Sequence, residues 1–141
     1  WSDLARMRIP NASVLALAAV FAVVGLVALP LSEYAWRWSH LAVVLVAGFV
    51  LSVAGVLGAG DAKFAAAMAP FIALPDLGVF LPLFAAILLA SFAAHRLVRR
   101  VAALRALAPD WVSWTSRQFP MGLALGGSLI AYLALVAVNG F

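Results

Sequence analysis

Long apolar runs, broken by short polar stretches, set the plan of this chain. A helix that spans a bilayer needs about 20 apolar residues. Ala12 to Leu29 is the first such run, with Pro10 just ahead of it, Asn11 placed to cap it and Pro30 at its end. Leu31 to His40 reads as a polar loop carrying Trp36 and Trp38, a composition found at the membrane interface. Leu41 to Leu57 is the second run, and Ala62 to Leu74 a third, short and rich in alanine. Leu77 to Ala94 is the fourth and Pro120 to Val138 the fifth. The pattern predicts an all-α polytopic membrane bundle with five spans, forming one domain over residues 1–141.

Composition agrees. Of 141 residues, 67% are hydrophobic and 10% charged, against about half and about a quarter in soluble domains. There is no Cys, which excludes disulfides, thiolate zinc sites and Cys nucleophiles. His40 and His95 are far apart in sequence, so no metal cluster is expected, and no motif calls for a cofactor. The formal charge of +4 does not point to nucleic acid. The basic residues lie in short loops, where they set orientation in the lipid bilayer. Ala102 to Leu107 reads as a surface-lying helical piece, with Trp111 and Trp114 at the headgroups.

If the five runs alternate across the membrane, Arg6, Arg8, Lys63, Arg96, Arg99, Arg100, Arg105 and Arg117 share one side and Arg37 takes the other. The positive-inside rule makes the arginine-rich side cytoplasmic. The same alternation places Asp3, Asp61 and Asp110 on that side, and Glu33 and Asp76 outside as loop charges.

Asp61 follows two closely spaced glycines, in Gly58-Ala59-Gly60-Asp61. An ionisable residue at the edge of hydrocarbon is costly and marks a functional site. The glycines let backbone and substrate approach the carboxylate. Asp3 is the partner that the alternation brings to the same side. Two neighbouring carboxylates tend to share one proton, so one serves as acid and the other as base. That is the chemistry of an aspartic protease. The blander readings are a solvated cap at Asp3, a helix terminus at Gly58 and Gly60, and a snorkelling side chain at Lys63. Asp110 reads as a loop charge. Gly122 and Gly126 read as a small-residue packing pair, and Ser13, Ser52, Ser91 and Ser128 as packing residues bonded to backbone. An ion or proton site at Asp61 in a small transporter or channel subunit is the alternative from a different class.

Three segments resemble the prepilin peptidases, membrane aspartic proteases that mature type IV pilins. Gly58-Ala59-Gly60-Asp61-Ala62-Lys63 resembles their Gly-x-Gly-Asp-x-Lys signature. Asp3 followed by Arg6, Arg8 and Ile9-Pro10-Asn11 resembles their Asp, basic stretch and Ile-Pro-Asn. Phe119-Pro120-Met121-Gly122 is similar to the Pro-x-Gly segment that opens the family's last helix. Short length and lack of Cys place the chain near the Tad/Flp-type (CpaA/TadV-like) members, without the methyltransferase of the long bifunctional ones. The resemblance implies a catalytic pair of Asp3 and Asp61. It assigns Gly58, Gly60, Lys63, Pro10, Asn11, Pro120 and Gly122 to the motifs around the approaching substrate. It also implies a sixth span ahead of Trp1, an inner-membrane location, and a prepilin-like substrate cut behind its basic leader at the cytoplasmic face. Presenilin-type proteases share Gly-x-Gly-Asp but place the partner Asp in a Tyr-Asp context, which Ser2-Asp3 is not. A preflagellin-type substrate and a homo-oligomer are left open by the residues.

Overall fold

A computed structural model describes residues 1–139. Among them are seven α-helices, three single 3₁₀ turns and no strand. The helices are α1 (Ser2–Arg6), α2 (Asn11–Ala28), α3 (Leu31–Val53), α4 (Ala59–Met68), α5 (Leu77–Val98), α6 (Ala102–Arg105) and α7 (Met121–Asn139). The chain divides into two compact units, one of residues 9–77 and one of residues 1–8 with the chain from Gly78 onward.

In the first unit, α2 is the expected first span. Pro10, extended at φ −66° and ψ 143°, precedes the helix and Asn11 begins it without a side-chain cap. The expected loop over Leu31 to His40 is instead the first two turns and more of α3. Pro30 leads into it, and Arg37 Nη2 pairs with Glu33 Oε1 at 2.6 Å, one turn apart on the same helix face. The sequence reading took the aromatic and charged residues as a loop signal, but an interfacial helix carries the same composition.

The short third run also differs from expectation. It is a ten-residue helix, α4, continued by the 3₁₀ turn Ala69–Phe71 and followed by the 3₁₀ turn Leu74–Asp76. Pro70 and Pro75 lack the N–H that an α-helix needs and break the regular helix there. At 1.5 Å per residue, ten helical residues cover about 15 Å, half a bilayer core. Among the described residues four helical stretches, not five, are long and apolar enough to cross: Asn11–Ala28, Leu31–Val53, Leu74–Val98 and Met121–Asn139.

The short segment nevertheless runs back along α3. At one end, a Cβ on Gly48 would stand 2.9 Å from the Cβ of Ala62 and 3.3 Å from its Cα, so only glycine permits that approach of helices. At the other, Arg37 Nη1 donates to the carbonyls of Pro70 at 3.4 Å and Phe71 at 3.3 Å. These carbonyls lie beyond the last regular turn and need partners. Ala62, Ala66, Ala67 and Met68 are buried in this packing. Phe21, Tyr34, Trp38 and Phe71 close the far end, with Phe21 in ring contact with each of the other three at 5.2 to 5.7 Å.

In the second unit, α5 and α7 are the long helices. Phe80 and Tyr132 meet edge to face at 5.7 Å. Ser128 is fully buried in α7 and donates to the Leu125 carbonyl at 2.9 Å, the backbone-bonded packing role read from the sequence. Gly126 does not pair as expected: a Cβ there would have no neighbour within 4 Å among the described residues.

Candidate functional site

In the first unit the segment Ile9-Pro10-Asn11 and the segment Gly58 to Lys63 come together at the starts of α2 and α4. A Cβ on Gly60 would stand 3.4 Å from the Ile9 Cβ, an ordinary contact. Lys63 Nζ donates to the Asn11 side-chain oxygen at 3.3 Å. Asn11 therefore ties the two segments rather than capping α2 as expected, because it is the first residue of the helix and Pro10 holds the cap position. Lys63 is exposed apart from this bond, consistent with a snorkelling stem.

Asp61 stands three positions after Gly58, the residue that precedes α4. At that position a carboxylate reaches back toward the helix start. Its Oδ2 lies 2.6 Å from where a Cβ on Gly58 would be. Any side chain at residue 58 would displace the carboxylate. Of the two glycines, Gly58 rather than Gly60 makes room for Asp61.

In the second unit, Asp3 lies on α1, a five-residue helix ended by Met7 in the left-handed region at φ 52°. Asp3 Oδ2 accepts a hydrogen bond from the Gly122 N–H at 2.7 Å. Gly122 is in the first turn of α7, where backbone amides have no helical partner. A Cβ on Gly122 would lie 3.0 Å from that oxygen and 3.1 Å from the Asp3 Cβ. Pro120, just before α7, is fully buried. Asp3 and the Pro120-Met121-Gly122 segment thus meet through this hydrogen bond.

A line of rings stands behind this bond. Trp1 meets Trp111 edge to face at 4.9 Å, Trp111 stacks on Trp114 at 5.3 Å, and Trp114 stacks on His95 at 5.5 Å. His95 in turn meets Phe119 at 5.9 Å. Trp114 Nε1 donates to the Ala108 carbonyl at 2.7 Å. Trp111 and Trp114 are thus packed against each other within the loop. The sequence reading missed His95, whose isolation in an apolar run gave no sign of its aromatic partners. His95 is 5% exposed, and its Nε2 and the hydroxyl of Ser113 are buried without a hydrogen-bond partner among the described residues.

The remaining carboxylates are placed otherwise. Glu33 pairs with Arg37 on α3, and Asp110 is exposed in the loop before Trp111. No three His, Asp or Glu side chains cluster as metal ligands among the described residues. Asp61 and Asp3 thus each lie in the first turn of a helix, against a glycine where an added Cβ would crowd the carboxylate.

Residues 1–97 match the sequence model of the type IV leader peptidase family. That stretch contains Asp3, Ile9-Pro10-Asn11 and Gly58 to Lys63, and stops short of Gly122. No curated protein and no solved structure matches the chain.

Proposed function

Because the chain belongs to the type IV leader peptidase family, we propose that it is an aspartic endopeptidase with Asp3 and Asp61 as its catalytic pair. The substrate is a prepilin-like membrane protein of the Flp type. Its basic leader is removed where its apolar helix meets the cytoplasmic face of the inner membrane. The observation that carries this reading is the joining of Ile9-Pro10-Asn11 to Gly58-Ala59-Gly60-Asp61-Ala62-Lys63 in one compact unit.

Hydrolysis by such a pair needs no other group. The ionised carboxylate takes a proton from water as the water oxygen bonds to the scissile carbonyl carbon. The protonated carboxyl gives its proton to the carbonyl oxygen. The tetrahedral intermediate then collapses: the second carboxylate takes back a proton from one of its hydroxyls as the C=O re-forms, the C–N bond breaks, and the leaving nitrogen takes the proton held by the first carboxylate, so that both groups return to their starting states. Water reaches this depth because the scissile bond lies at the headgroup level.

The arginine-rich segment from Arg96 to Arg117 should repel a basic leader. Two of its charges are engaged locally: Arg99 Nη1 donates to the Ser116 carbonyl at 3.0 Å, and Arg96 lies 5.0 Å over the Phe92 ring. Anionic lipid headgroups neutralise the others.

Co-expression with a candidate Flp-type pilin tests the reading. Wild-type protein should shorten the pilin by its leader, and Asp61→Asn should leave it full length. Cleavage by Asp61→Asn at the wild-type rate would sink the proposal. Ion uptake into proteoliposomes that depends on Asp61 would then favour a transport site.

A further inference from the structure

We propose that Gly122, at the start of α7, is a positioning residue for Asp3. This rests on the reading of Asp3 as one of the catalytic pair. Residue 122 lies outside the stretch matched by the family, and the proposal gives it a specific role. Its N–H holds one carboxylate oxygen so that the other is presented to water and substrate.

Three observations support the assignment. The Gly122 N–H to Asp3 Oδ2 distance of 2.7 Å is short for an amide donor and fits a charged acceptor. The approach is tight, since a Cβ would meet Asp3 Oδ2 at 3.0 Å, Cβ at 3.1 Å and Cγ at 3.3 Å, and the Asp3 side chain would have to shift by a few tenths of an ångström. The third is the line of rings. It begins at Trp1, two residues from Asp3, and ends at Phe119, three residues from Gly122. Ring contacts through Trp111, Trp114 and His95 thus connect the two ends of the hydrogen bond, with Trp1 itself exposed at one end. A five-residue helix such as α1 is too short to hold an aspartate rigidly by itself. Helix α1 lies against the Val112–Trp114 turn and α7, which orients it.

Two measurements test the proposal. In the first, the protein is labelled with ¹⁵N-glycine in detergent micelles, and the Gly122 amide resonance is compared between wild type and Asp3→Ala. The resonance should move upfield when the carboxylate is removed, while that of Gly126 should stay in place. This readout leaves Gly122 and α7 unaltered and does not need cleavage. In the second, cleavage of a leader-bearing peptide is measured for Gly122→Ala and Gly126→Ala. Gly122→Ala should lower kcat by roughly tenfold or more, the range for one hydrogen bond to a charged group, with KM little changed. Gly126→Ala should retain wild-type kcat, because its Cβ would meet open space. An unmoved Gly122 amide in Asp3→Ala overturns the proposal. So does full kcat in Gly122→Ala when Asp3→Asn is inactive, a result that would leave the catalytic pair standing. Retained cleavage by Asp3→Asn would instead remove the peptidase role of Asp3, and the positioning role with it.

Discussion

Asp61 and Gly58 face each other so closely that the two residues work as one feature: a Cβ on Gly58 would stand 2.6 Å from Asp61 Oδ2. Gly58→Ala should therefore push the carboxylate aside and lower kcat/KM by roughly tenfold, the scale of a lost charge-bearing hydrogen-bond geometry. Gly60→Ala should be far milder, because its Cβ would make an ordinary 3.4 Å contact with Ile9. It should also hold the melting temperature or raise it, since alanine is favoured over glycine in a helix by up to about 1 kcal/mol. Kinetics and thermal unfolding of both variants in detergent check this ranking, and equal loss at the two positions would contradict it. The sequence alone pointed to both glycines and could not rank them. Which glycine faces the carboxylate depends on how α4 starts, and that is a matter of backbone geometry. The Lys63 bond to Asn11 was beyond sequence reading for a similar reason, since the two residues are brought together only by the packing of α2 and α4.

Helix α4 shows where hydrophobic pattern is informative and where it stops. Its alanine-rich run was read as a short span, and Ala62, Ala66 and Ala67 are buried. Its length as a regular helix was overestimated because Pro70 lies inside the apolar run and Pro75 directly follows it. The four long stretches were legible because 18 or more apolar residues leave few other structures possible in lipid. The start of α3 was not, because Glu33 and Arg37 look like loop charges until their one-turn pairing is seen. The packing of α4 on α3 makes two predictions. Gly48→Leu should destabilise the protein by about 1–3 kcal/mol through overpacking against Ala62, read as a lower melting temperature. Arg37→Ala should cost about 1–3 kcal/mol by leaving the Pro70 and Phe71 carbonyls without their guanidinium partner. Wild-type melting of both variants would mean that α4 is not held along α3 as described.

At the scale of the whole molecule, the apolar helices make this a multi-pass membrane protein. The proposed orientation follows from the positive-inside count with the α4 segment, which runs back along α3, taken as the return crossing. The natural lack of Cys allows a direct check. Cysteine at Ser2 or Ser116 should react with a membrane-impermeant reagent only from the cytoplasmic side, and cysteine at Ser32 only from outside. Ser113 is unsuitable because it is fully buried. Labelling of Ser2 and Ser116 from opposite sides would break the proposed orientation. The family was readable from three short segments because their residue types are constrained by chemistry and close approach. The contact between Asp3 and Gly122 was not readable, being 119 positions apart and made by a backbone amide. The central claim is that Asp3 and Asp61 act as one catalytic pair. Its most direct test is cleavage of a synthetic leader-bearing prepilin peptide by purified protein. Asp3→Asn and Asp61→Asn should each reduce kcat by about 10²–10⁴-fold, the contribution of a positioned acid or base, and the double variant should lose little more. Asp110→Asn should stay near wild type. Near-normal cleavage by either Asp3→Asn or Asp61→Asn would contradict the account.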